Sequence, residues 1–202
     1  MFDHWLRMLK DRLFEPIAPA IGRWLHPNLI SLLALLAGLA AALLAARGRT
    51  GPAFAAWVVN RTLDGLDGSV ARAVGSQSDF GGYLDIMGDF VVYAAVPVGV
   101  VLGQPSESAW RAGLFLLATF FVNAASWMYL AAILERRSLG VAATGERTTI
   151  TMPPAIVAGS ETVVFYSLFL LLPAWAPPLF WLMGMLVVGN IVLRLAWAKG
   201  RI

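Results

Sequence analysis

The sequence predicts an all-α integral membrane protein, with six transmembrane helices preceded by an N-terminal amphipathic interfacial helix. Three observations carry this expectation. Of 202 residues 59% are apolar and the mean hydropathy is +0.73, well outside the range of an ordinary soluble domain. The apolar residues gather into six runs close to the length a hydrocarbon core demands, at 29–46, 52–73, 80–102, 110–134, 154–172 and 179–197. The basic residues alternate in density from one inter-run segment to the next, as the positive-inside rule requires of a multi-pass chain.

Residues 1–26 form a juxtamembrane segment. Phe2, Trp5, Leu6, Leu9, Leu13 and Ile17 recur at near-helical spacing, with Arg7, Lys10, Asp11 and Arg12 elsewhere on the wheel, the pattern of a helix lying in the interface. Pro16 and Pro19 are expected to break it, and a short piece bearing Ile21, Trp24 and Leu25 leads to Pro27-Asn28. His4 and His26 are read as interfacial rather than catalytic. Residues 27–202 then form a single six-span domain, because no polar segment is long enough to build a separate soluble core. A cleavable signal peptide at 29–46 is disfavoured by the long segment before it and the five apolar runs after it.

The second and third runs are mirror images. The second is plain hydrocarbon filler from Ala53 to Val59 and polar from Asn60 onward; the third begins polar and ends apolar. Their polar ends therefore meet on one side of the membrane across a turn at 73–79, to which Gly75 and Ser76 are suited. With the amino terminus inside, the inner segments hold Arg7, Lys10, Arg12, Arg23, Arg136, Arg137, Arg147, Lys199 and Arg201, against Arg47, Arg49 and Arg111 outside. Both termini and the polar ends of runs two and three then face the cytoplasm. Cysteine is absent, which excludes disulfides, thiolate metal sites and a cysteine nucleophile. No nucleic-acid partner is expected.

The polar ends read Asp64-Gly-Leu-Asp67-Gly68-Ser-Val-Ala71-Arg72 and, eight residues later, Gly81-Gly-Tyr-Leu-Asp85-Ile-Met-Gly-Asp89. On helices, 64, 67, 68, 71 and 72 share one stripe, as do 81, 85 and 89. Ionisable side chains inside apolar runs mark a functional site by default. Four carboxylates gathered there cannot all stay ionised without a strong positive partner. Divalent cations are the natural partner, and hard oxygen donors without His or Cys favour Mg²⁺, Mn²⁺ or Ca²⁺ over zinc or copper. Asp64, Asp67, Asp85 and Asp89 are accordingly the candidate metal ligands.

The pattern Asp-x2-Asp-Gly-x2-Ala-Arg-x8-Gly-x3-Asp-x3-Asp resembles the signature of the CDP-alcohol phosphotransferase (CDP-alcohol phosphatidyltransferase) class I family, and Pro27-Asn28-Leu29-Ile30-Ser31 resembles that family's entry to its first span. The resemblance implies a phospholipid-synthesis enzyme that moves a phosphatidyl or similar phosphoalcohol group from a CDP-activated lipid, such as CDP-diacylglycerol, to a small polar acceptor alcohol, releasing CMP. It implies two divalent ions, Mg²⁺ or Mn²⁺, held by the four aspartates, and a second duty for Asp89 as general base toward the attacking hydroxyl. Gly68, Ala71, Gly81 and Arg72 would form the CDP pocket, the small residues admitting the ligand to helix backbone and Arg72 offering its planar fork to phosphate. A homodimer in the cytoplasmic membrane, with the site facing the cytoplasm, is also implied.

Arg147, Glu161 and Arg194 are the candidate acceptor residues, since they lie at expected cytoplasmic ends or within a span. The acceptor itself stays open among glycerol 3-phosphate, an inositol phosphate, serine, choline and others. Arg136 and Arg137 fit membrane-surface anchoring better. Asn60, Arg61, Asn123 and Asn190 are intramembrane polar residues expected to make interhelical hydrogen bonds. Two other classes remain in view. A Mg²⁺-dependent intramembrane prenyltransferase also uses aspartate-rich helices, but with its motifs far apart. A divalent-cation transporter needs intramembrane carboxylates, but it leaves Gly68, Ala71, Arg72 and Gly81 unexplained.

Overall fold

The structure is a computed structural model and describes residues 12–137 and 155–200. The helix expected over the first residues, Arg147 with its neighbours 145–149, and Arg201 lie outside the described residues. Those described are almost wholly helical and contain no strand: α1 (Ala18–Gly22), α2 (Pro27–Ala46), α3 (Thr50–Ala73), α4 (Asp79–Gly103), α5 (Glu107–Arg136), α6 (Gly159–Leu171), a 3₁₀ turn (Pro173–Trp175) and α7 (Ala176–Lys199).

Among the described residues, four helices are long and apolar enough to cross a membrane: α2, α4, α5, and α7 with its 3₁₀ lead-in, Pro173–Lys199. The other two expected spans exist as helices but differ in character. Helix α3 has the length, yet Arg61, Asp64, Asp67 and Arg72 dilute its hydropathy. Helix α6 has 13 residues, about 20 Å of rise against the roughly 30 Å of a hydrocarbon core. The run expected from residue 154 becomes helical only at Gly159, and residues 155–158 are held instead by a side chain of α7. Asn190 Oδ1 accepts from the Ile156 and Val157 amides at 2.5 and 3.1 Å, while its Nδ2 donates to the Val157 carbonyl at 2.9 Å. One amide thus satisfies three backbone groups that an irregular segment would otherwise leave bare in an apolar setting.

The helix ends follow from local sequence. Pro27 occupies the first turn of α2, where its missing N–H costs nothing, and the His26 ring caps the helix by accepting from the Asn28 amide at 3.3 Å. Ser78 and Ser106 cap α4 and α5 by accepting from the Gly81 and Ala109 amides, each at 3.1 Å. Between α3 and α4 the chain turns through Gly75 at φ +65°, a left-handed conformation suited to glycine, and the Ser76 amide closes back on the Ala71 carbonyl at 3.0 Å. Pro19, expected as a breaker, instead lies in the first turn of α1, where proline is tolerated. Around it Leu13, Ile17 and Trp24 are exposed, whereas Ala18 is buried with Ile30, Leu66 and Val70 and Ile21 packs against them.

Helix α2 packs along both α3 and α4, and α5 packs along α7; α6 touches α3, α4 and α7 and joins the two groups. The two motif helices make no extensive contact with each other, because α2 lies against both. The approach of α2 to α4 is closest at the end away from the motif, where a β-carbon at Gly99 or Gly103 would fall 2.2 or 2.1 Å from the carbonyl oxygens of Ala42 and Ala45. Small residues are what let two membrane helices approach so closely.

The core is aromatic where α3, α4 and α6 meet. Trp57 stacks on Tyr166 with ring centroids 5.3 Å apart, and Tyr93 meets Tyr166 edge-on at 5.2 Å. Pro97 in the middle of α4 has no N–H to give the carbonyl of Tyr93, four residues before it. The Tyr166 hydroxyl donates to that carbonyl at 2.6 Å. A side chain of α6 thereby fills the gap that proline opens in the hydrogen-bond ladder of α4.

Candidate functional site

Antiparallel connection brings the start of α2, the end of α3, the start of α4, the start of α6 and the end of α7 to one end of the bundle. The first turn of α2 bridges the two half-motifs. Ser31 donates to Asp67 Oδ2 at 2.5 Å, and the Asn28 side-chain oxygen lies where a β-carbon on Gly81 would meet it at 3.3 Å. Asn28 and Ser31 are three residues apart, so one face of α2 touches Asp67 on α3 and Gly81 on α4.

A second link crosses directly between the motif helices. Arg61, one turn before Asp64, donates from Nη2 to Asp89 Oδ1 at 2.8 Å, and its Nη1 lies 3.6 Å from Asp64 Oδ2. Two of the four acidic groups, from different helices, thus converge on one guanidinium. Asp67 is buried and takes both the Ser31 hydroxyl and, at 2.5 Å, the Gly68 amide; Asp85 lies on the exposed side of α4. Among the described residues no three carboxylates or imidazoles draw together tightly enough to enclose an ion in this conformation. The donor chemistry nevertheless fits a hard divalent cation: the four aspartates offer only oxygens, and the Arg61 side chain that bridges Asp64 to Asp89 is itself a cation.

In the expected CDP pocket, Arg72 is exposed near the end of α3 and donates to Ser69 Oγ at 3.2 Å; Gly68 leaves room beside it, since a β-carbon there would meet Arg72 Nη1 at 3.4 Å. Ala71 is half-buried on the same stripe. Of the acceptor candidates, Glu161 is turned onto its own helix, accepting from the Ala158 amide at 3.0 Å. Arg194 is 4% exposed; its Nη1 donates to the Asn123 carbonyl and side-chain oxygens at 3.2 and 3.0 Å and lies 3.4 Å from Ser126 Oγ, while its Nε has no hydrogen-bond partner among the described residues. Asn60 and Asn123 make the interhelical hydrogen bonds expected of them, Asn60 through a 2.8 Å bond to the Ala34 carbonyl and Asn123 with Arg194, whereas Asn190 bonds the irregular segment before α6.

Sequence reasoning missed Asn28 and Ser31 as site residues; it expected interhelical hydrogen bonds from Arg61, which Tyr93 and Asp89 accept, but not a place in the site. The signals were present. Asn28 and Ser31 share a face at the start of a span, and Arg61 sits three residues before Asp64 on the stripe that holds the acidic pair.

The geometry defines a helical protein with apolar spans and a carboxylate-rich site at one end of its bundle. The chain belongs to the CDP-alcohol phosphatidyltransferase family, whose model matches residues 24–198. It is 36% identical over 118 residues to the inner membrane protein YnjF of Escherichia coli (strain K12), a match covering 58% of this chain and 56% of that protein. Solved structures of the phosphatidylinositol phosphate synthase PgsA1 of Mycobacterium tuberculosis share the fold. The form with CDP-DAG bound superposes with TM-score 0.69 at 23% identity, covering 92% of each chain. The form with manganese and citrate gives 0.68 at 23%, covering 91% of this chain and 87% of that one.

Proposed function

We propose that this protein transfers a phosphatidyl group from a CDP-activated lipid to the hydroxyl of a small polar alcohol and releases CMP. The observation that carries this is the convergence of Asp64 and Asp89, from the two halves of a fully matched family motif, on a single cation at one end of the bundle. Family membership favours this reading over prenyl transfer or cation transport.

Asp64, Asp67, Asp85 and Asp89 would hold two divalent ions, Mg²⁺ or Mn²⁺, which would neutralise pyrophosphate charge. Arg72 faces phosphate, and Gly68, Ala71 and Gly81 leave backbone open to the nucleotide. The acceptor oxygen attacks the lipid-bearing phosphorus, the bond from that phosphorus to the CMP oxygen breaks, and Asp89 takes the hydroxyl proton. A direct displacement is favoured because the motif contains no Ser, Cys or His paired with a base. Arg147, Glu161 and Arg194 are assigned to the acceptor side.

Helices α3 and α6 complete six spans with α2, α4, α5 and α7, the motif end faces the cytoplasm, and residues 1–26 lie along the interface before a single domain at 27–202. Charge supports this orientation: Arg12, Arg23, Arg136, Arg137 and Lys199 lie at the motif end, Arg47, Arg49 and Arg111 at the other. The functional unit is a homodimer. The deciding assay is CMP release from CDP-diacylglycerol by the purified protein with Mg²⁺ or Mn²⁺, across glycerol 3-phosphate, inositol phosphate, serine and choline. Failure to release CMP with any of them, or ion flux in its place, would overturn the proposal.

A further inference from the structure

Arg61 belongs to no part of the matched motif, yet it is among the most constrained side chains at the site. Its Nε donates to Asn60 Oδ1 at 2.7 Å, Nη1 to the Tyr93 hydroxyl at 3.0 Å and Nη2 to Asp89 Oδ1 at 2.8 Å. Its Cζ lies 4.8 Å from the ring centre of Trp57 and 5.3 Å from that of Tyr93. The partners are themselves fixed: Asn60 by Ala34, Trp57 by a 3.2 Å bond to Ser167 Oγ, and both rings against the fully buried Tyr166. The guanidinium is held in its plane by hydrogen bonds from every nitrogen and by two aromatic rings.

Two simpler roles fit these contacts poorly. A phosphate-binding arginine presents donors to an open site, but every nitrogen of Arg61 is already engaged within the protein. A loose counter-ion that yields to an entering metal would not be boxed by Trp57, Tyr93 and Asn60. We propose that Arg61 is a positioning residue for Asp89: a rigid cation, built on α3 and braced by α4 and α6, that fixes the carboxylate of α4 in the orientation from which it takes the acceptor proton. The role of Asp89 as base rests on the function proposed above; the pairing of Arg61 with Asp89 does not. Because α3 and α4 share no extensive packing of their own, this pair is a direct link between the half-motifs beside the bridge that α2 makes. A base displaced by about an ångström loses on the order of a hundredfold in rate, so a fixed partner has a direct kinetic signature.

The test compares Arg61→Met, which removes the charge, with Arg61→Lys, which keeps the charge but not the planar fork. In Arg61→Met, CMP release at saturating substrates is expected to fall about a hundredfold, with the KM for CDP-diacylglycerol and the affinity for Mn²⁺, read by electron paramagnetic resonance, within about threefold of wild type. Arg61→Lys recovers part of the loss. Turnover within about threefold of wild type in Arg61→Met, or loss of Mn²⁺ binding in step with turnover, would overturn the proposal. Melting of the metal-free protein in detergent supplies a readout independent of activity. Arg61→Met should lower the melting temperature, and adding Asp89→Asn should restore part of the loss, because the carboxylate stranded by the first change is then neutral. Additive melting shifts would sink the pairing even where wild-type enzyme is active. A wild type that releases no CMP would instead remove the function proposed above and leave the melting cycle to decide the pair.

Discussion

At the scale of single residues, the four aspartates are not equivalent. Asp89 pairs with a fixed arginine, Asp67 is buried on Ser31 and its own helix, and Asp85 lies on the exposed side of α4. Asp89→Asn is therefore expected to cut turnover by at least about a hundredfold while CDP-diacylglycerol still binds, as measured by single-turnover CMP release beside equilibrium donor binding. Asp67→Asn should show the opposite pattern, with weaker Mn²⁺ binding as its first effect. Tyr166 offers a stability test away from the aspartates. Tyr166→Phe leaves the Tyr93 carbonyl without its hydroxyl donor and should cost about 1–3 kcal/mol, seen as a lower melting temperature in detergent.

At the scale of helices, much was legible in the sequence, and the exceptions share a cause. The apolar runs located the long helices among the described residues, and Gly75 and Pro27 marked helix boundaries, because caps and turns are written in neighbouring residues. Spacing along α3 and α4 gave the acidic stripes for the same reason. What could not be read was which helix touches which. The motif helices looked like a packed pair because they are consecutive, yet α2 lies along both, and its Asn28 and Ser31 enter the site through contacts between distant parts of the chain. That Arg61 would bond across helices was legible from its place inside a span; that its partner is Asp89 was not. The close approach of α2 and α4 gives a prediction at this scale. Gly99→Ala puts a methyl group 2.2 Å from the Ala42 carbonyl oxygen, which neither backbone can yield cheaply, and should cost about 1–3 kcal/mol or more by thermal melting.

At the scale of the whole molecule, orientation is testable because the chain has no cysteine. Single cysteines at Ser78 and Arg49 fall at opposite ends of α3 and α4, and in intact cells a membrane-impermeant maleimide should label Arg49→Cys and spare Ser78→Cys. The reverse pattern would invert the topology. The splice in α4 has a consequence at this scale as well. Pro97 divides that helix into a half gripped by Gly99 and Gly103 and a half carrying Asp85 and Asp89, with a phenol from α6 spanning the division. Proline joints are where membrane helices yield, so a tilt imposed by a thicker or thinner bilayer would be taken up first at Pro97, against the splint that the Tyr166 hydroxyl provides.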